Sequence, residues 1–187
     1  MKVRSFKLRE QAEILVTRRL GEKLRQELVA QIPRGEDPES LLLDFAGVHI
    51  LDYSCADELV ARLLVELQNR LHGQRFLLLC GLDETIEENV AVALKQRSLS
   101  LQHNYGGNGD WQLLGELRPY LEESLELLNS SRELTARDLA DQSSLAINTA
   151  SNRLAELART GLAYRRTHSL PAGGKQFQYY SILPNSL

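Results

Sequence analysis

Two cysteines in 187 residues, Cys55 and Cys80, are too few for a disulfide framework. Both lie in apolar stretches and read as buried thiols of a reducing compartment. Histidine is as sparse. His49, His72, His103 and His168 stand far apart, with no metal-ligand spacing and no cysteine pair beside them. We therefore expect no metal and no cofactor. Long apolar runs are missing too, the longest being a few residues where a membrane span needs about 20. No apolar run follows the first basic residues, as it would in a secretory leader. The expectation is a cytoplasmic chain with no membrane partner. Bulk positive charge is absent: 22 Lys and Arg against 25 Asp and Glu leave a net charge of −3. That excludes nucleic-acid binding through an overall basic field. Catalytic motifs are absent as well. Ser54, Cys55 and Asp57 lie close to His49 along the chain, but no nucleophile elbow surrounds the serine. The GGNGD run at 106–110 has neither the strand before it nor the lysine after it that a phosphate loop needs. The chain does not read as an enzyme.

What is present is enough apolar residue, 43%, for ordinary cores, in a length that allows one large or two small domains. Residues 1–9 alternate apolar and basic, as a short strand does. Residues 14–16 read as a second strand or as the approach to a helix over 17–31. That helix has Leu20, Leu24 and Leu28 at helical spacing, Thr17 as cap and Pro33 beyond its end. Residues 41–45 form a nearly continuous apolar run, the mark of a buried parallel strand. A loop at Gly47 leads to a helix over 54–71 with Leu59, Leu63 and Leu67 on one stripe and Ser54 as its cap. A strand at 76–80, a helix at 84–97 and a strand at 99–103 follow, and NYGGNGD (104–110) reads as a loose surface loop. Strand–helix–strand–helix–strand with right-handed crossovers gives a small α/β sheet.

Residues 116–128 carry Leu117, Leu121, Leu125 and Leu128 on a helical stripe, with Pro119 in the first turn or at a kink. This helix could open the second domain, link the two, or form a dimer interface. Over 135–162 the chain reads as two short helices and a turn. Leu139, Ala140, Leu145, Ala150, Leu154 and Leu157 point inward, Thr135 is the first cap, and Gly161 is the stop. Asn148, Thr149, Ser151, Asn152 and Arg153 form a polar surface on the second helix, next to Ile147. Residues 162–168 and 177–182 read as strands, joined by a turn containing Pro171 and Gly173-Gly174. From Ser143 onward the cations Arg153, Arg159, Arg165, Arg166 and Lys175 face a single acid, Glu156. The C-terminal end is thus locally basic on an acidic chain.

Helix, turn, helix and hairpin in this order resemble the winged helix-turn-helix domains of MarR- and ArsR-like bacterial regulators over about 116–183. The residues that carry the likeness are Leu134-Thr135, Asp138-Leu139-Ala140, Thr149, Ser151, Leu154, Leu157, Gly161-Leu162 and Arg166. The run LLLDFAGVHILDYSCADEL at 41–59 resembles the centre of the STAS domain of anti-sigma-factor antagonists. It is more similar still to the related STAS-like family of unknown function, through Thr17-Arg18, Gly21, Leu24-Arg25, Asp44-Phe45-Ala46-Gly47-Val48 and Ala56-Asp57-Glu58-Leu59, over about 1–112. In STAS antagonists the corresponding helix begins with a Ser or Thr that a kinase phosphorylates, and Ser54 falls there. A phosphate at a helix N-terminus meets unpaired N–H groups. Ser54 is equally placed to be a plain N-cap.

These readings combine into an α/β STAS-like domain with a small mixed sheet (1–112) and a C-terminal α+β winged helix-turn-helix domain (113–187). The expected function is a prokaryotic DNA-binding transcriptional regulator. Its first domain would sense or dock a regulatory protein or kinase, and its second would bind duplex DNA as a homodimer. Ile147, Asn148, Thr149, Ser151 and Asn152 would meet bases, with Asn suited to adenine and Ile147 to a thymine methyl. Arg153, Arg165, Arg166, His168 and Lys175 would meet phosphates. A helix with no Arg before Arg153 suggests contacts leaning to A·T pairs, or little direct readout. The alternative is a partner-switching module that does not bind DNA and is controlled by phosphorylation at Ser54.

Overall fold

The computed structural model describes residues 1–33, 35, 37–105, 109–169 and 173–184. Contacts divide the chain into one unit holding Met1–Glu116 and another holding Leu117–Leu183. Among the described residues it is a mixed α/β protein.

In the first unit, β1 (Lys2–Lys7), β3 (Glu39–Asp44), β5 (Arg75–Cys80) and β6 (Ser100–Tyr105) lie side by side and parallel, and β7 (Asp110–Gly115) closes the far edge antiparallel to β6. The short β2 (Ile14–Leu15) and β4 (Ile50–Leu51) form a separate parallel pair. Three helices connect the strands: α1 (Arg18–Ala30), α2 (residues 53–68) and α3 (Glu84–Gln96). Strand order rises steadily across the sheet, so right-handed crossovers lay every helix on one face. Alternate strand residues Leu41, Leu43, Leu77, Leu79 and Leu101 pack there against Leu24, Leu28, Leu59, Leu63, Val90 and Leu94 in one core.

Several expectations need correction. Asn104 and Tyr105 belong to β6 and Asp110 opens β7, so the stretch read as a loose loop is mostly a hairpin; its residues 106–108 lie outside the described residues. The glycines hid a strand, DWQLLG, whose pairing with β6 supplies its stability. Because β7 runs to Gly115, the first unit extends past 112. α2 starts at Tyr53 and is capped by Asp52, whose side chain accepts the Cys55 N–H. Ser54 is therefore the second residue of the helix and not its cap. α2 also contains a π turn, Asp57–Ala61, which places both Asp57 and Glu58 inward.

In the second unit, α4 (Pro119–Ser131) has Pro119 in its first turn, where its missing N–H costs nothing. It is followed by β8 (Glu133–Thr135), α5 (Ala136–Ser143), α6 (Ile147–Arg159), β9 (Ala163–Ser169) and β10 (Lys175–Ser181). The sheet order is β8-β10-β9, antiparallel throughout. Leu121, Leu125 and Leu128 of α4 are buried, as are Leu139, Leu154, Leu157 and Tyr179, so α4 contributes to this core. The turn residues Leu170, Pro171 and Ala172 lie outside the described residues. Among the described residues no helix is long and apolar enough to cross a membrane.

Candidate nucleic-acid interface

α5 is fixed at both ends by local chemistry. Thr135 accepts the Asp138 N–H at 3.2 Å and the Asp138 carboxylate accepts the Thr135 N–H at 2.8 Å, a reciprocal capping box. Ser144 ends α5 in the left-handed region at φ 53°, and the Leu145 N–H returns to the Ala140 carbonyl at 2.9 Å. α6 then starts after Ala146, with no side-chain cap.

α6 divides sharply by face. Ala150, Leu154, Leu157 and Ala158 are buried. Asn148, Thr149 and Asn152 are exposed, Ser151 is half-buried, and Ile147 keeps 51% of its surface in water. The side chains of Asn148, Thr149, Ser151 and Asn152 make no hydrogen bond among the described residues. Polar neighbours behave otherwise: Ser124 donates to Tyr120, Thr160 to Glu156, and Ser181 to Asn129. Among the described residues, the polar groups on the first two turns of α6 take no part in holding the fold together.

Arg153, expected to meet phosphate, lies against α4 in the structure. Its guanidinium donates to the Tyr120 carbonyl at 3.1 Å and lies over the Tyr120 ring, 5.0 Å from its centre, with Glu123 3.9 Å away. Its side chain is only 17% exposed. One turn further along, Glu156 takes a salt bridge from Arg118, which also covers the Tyr120 ring. Both residues join α6 to the start of α4. Sequence gave no hint of this, because the partners are 33 and 38 positions away.

The hairpin splits the remaining cations. Strand alternation places Arg165 in register with buried Tyr179, on the side that carries the core, and Arg166 in register with Gln178 on the opposite side. Arg165 lies over the exposed Phe177 ring at 4.6 Å, and Lys175 shares that side. Arg166 shares the other side with His168 and with the stacked rings of Tyr164 and Tyr180. His168 is half-buried, its ring nitrogen 3.0 Å from the Tyr180 hydroxyl. Burial, with Glu133 nearby, raises the pKa of that hydroxyl. Phe177 as a platform for Arg165 was missed in the sequence, although the period of two in each strand would have paired them.

In the first unit, Ser54 is half-buried beside a cap that is already filled. Asp52 accepts from Cys55 at 2.7 Å and from Thr17 at 2.9 Å. The acids that follow are buried. Asp57 and Glu58 are 3% and 1% exposed. Arg97 donates twice to Asp57, at 2.6 and 2.9 Å, and Arg18 bridges the two acids. Arg62 donates to Glu58 at 3.0 Å, while Arg25 reaches Glu58 and Glu66. Hydrogen bonds from Arg97, against the effect of burial, hold the Asp57 carboxyl below its ordinary pKa. Burial alone would raise Glu58, but Arg18 and Arg62 more than offset it. Burial pushes the thiols of Cys55 and Cys80 up to about 12, which makes both poor nucleophiles. Among the described residues no group of three or more His, Cys, Asp or Glu could hold a metal ion. Neither a protein-family model nor a curated protein matches the chain.

Proposed function

We propose that the chain is a DNA-binding transcriptional regulator, with residues 117–183 acting as a winged helix-turn-helix and the STAS-like α/β unit docking or sensing a partner. The observation that carries this reading is the exposed face of α6. Four polar side chains with no hydrogen-bond partner among the described residues lie beside a half-exposed isoleucine at the start of a helix whose other face is packed. Free amide and hydroxyl groups beside an apolar contact are what reading base edges in a major groove requires. Arg165 and Lys175, exposed on one side of the hairpin, supply phosphate contacts next to it. Binding as a homodimer would set two such helices about 34 Å apart on a two-fold site.

Gel shifts of the full chain with genomic fragments, at several salt concentrations, test the proposal. Binding at low salt that weakens steadily with added salt supports it. Absence of binding at the lowest salt rejects it in favour of partner switching through the first unit.

A further inference from the structure

Resting on that reading of α6, we infer that the helix recognises A·T pairs, with Asn148 and Asn152 each reading one adenine about two base steps from the other. The commonest specific contact to guanine is an Arg or Lys placed on O6 and N7. The exposed face of α6 from Ile147 to Asn152 contains neither. Arg153, the first cation after it, is held on α4 by the Tyr120 carbonyl and ring and by Glu123. The helix thus has no Arg or Lys on this face for the bidentate guanine contact. What it does have is two carboxamides, each a donor and an acceptor in one plane, which is the pairing that adenine N6 and N7 offer. Both amides are exposed and neither has a hydrogen-bond partner among the described residues. They are four residues apart on one stripe, a rise of about 6 Å along the helix. Two base steps on one strand span about 7 Å. Ile147, half in water at the first position of the helix, is placed to cover a thymine methyl.

Selection of the full chain on randomised duplexes, followed by sequencing, tests this. The expected outcome is an enriched core with A·T at two positions two steps apart, preferred roughly tenfold or more over G·C. Asn148→Ala should relax the preference at one of them and Asn152→Ala at the other. Thermal unfolding should be unchanged in both variants, since neither side chain supports the fold. Enrichment of G·C at those positions overturns the inference, as does an A·T preference that survives both substitutions; either result leaves the DNA-binding reading standing. No enrichment together with no shift at low salt overturns both.

Discussion

The carboxylate of Asp52 joins two helices: one oxygen accepts the Cys55 N–H at the start of α2, and the other accepts the Thr17 N–H at the start of α1. Thr17 is a β-branched residue at φ 80° and ψ 142°, a conformation that costs of order 1–3 kcal/mol and persists only where its surroundings impose it. Asp52 holds the Thr17 N–H in that conformation. Loss of an ordinary cap costs about 1 kcal/mol. Asp52→Ala should exceed this, at about 2–3 kcal/mol, because both helix starts lose their acceptor together. Ser54→Ala, one residue inside the helix, should stay within about 0.5 kcal/mol. Urea unfolding of the two variants checks the pair. A larger loss for Ser54→Ala would return the cap to Ser54.

Gly21 marks where α1 and α2 come closest. A Cβ placed there would lie 2.7 Å from the Cys55 carbonyl oxygen and 2.9 Å from the Glu58 Cβ. Helix propensity alone would make Gly21→Ala stabilising by about 1 kcal/mol. The contact reverses the sign, because a backbone oxygen cannot step aside as a flexible side-chain end can. Gly21→Ala should destabilise by about 1–3 kcal/mol, measured by thermal or urea unfolding. An increase in stability would mean that the helices separate at little cost.

Acid should weaken the first unit in two stages, both of the same sign. Burial lowers the His103 pKa below its ordinary 6.5, so the unfolded chain takes up that proton first and stability begins to fall as pH drops through 6.5. Asp57 and Glu58 lie below their ordinary 3.8 and 4.5, so their contribution is complete above those values and is lost as pH falls further. Unfolding free energy measured from pH 8 to pH 3 should show both losses. His103→Leu should remove the upper one alone. Glu58→Ala should cost about 3–5 kcal/mol at neutral pH, since it leaves Arg25 buried without one of its acids.

The elements fixed by neighbouring residues were legible in the sequence. The Thr135 cap, the Thr17 cap and the exposed face of α6 follow from residues three or four positions apart, and the structure has all three. What was not legible depends on partners far along the chain. Asp57 and Glu58 look like solvated acids at a helix start until Arg18 and Arg97, about 40 positions away on either side, are brought to them. β7 lies next to a glycine-rich run and becomes a strand through pairing with β6. The choice between Asp52 and Ser54 as cap is a matter of two positions, which composition does not resolve. Arg165 and Arg166 are the reverse case: alternation along a strand already separates adjacent residues to opposite sides, and the sequence reading gave both the same task.

Arg153 and Arg165 should therefore part company when each is removed. Arg153 is tied to Tyr120, so Arg153→Ala should lower the unfolding midpoint of the second unit, and whatever DNA affinity it loses should leave the salt dependence unchanged. Arg165 and Lys175 are exposed on the same side of the hairpin, and Phe177 keeps the Arg165 guanidinium extended over its ring. Arg165→Ala and Lys175→Ala should each reduce the slope of log affinity against log salt by about 1, with little effect on unfolding. Arg166→Ala, on the opposite side, should change the slope less than either. Measuring affinity at four or five salt concentrations separates the three outcomes. An equal loss of slope for Arg165 and Arg166 would mean that the DNA meets the hairpin along its edge, where both sides are within reach, and not on the side that carries Phe177.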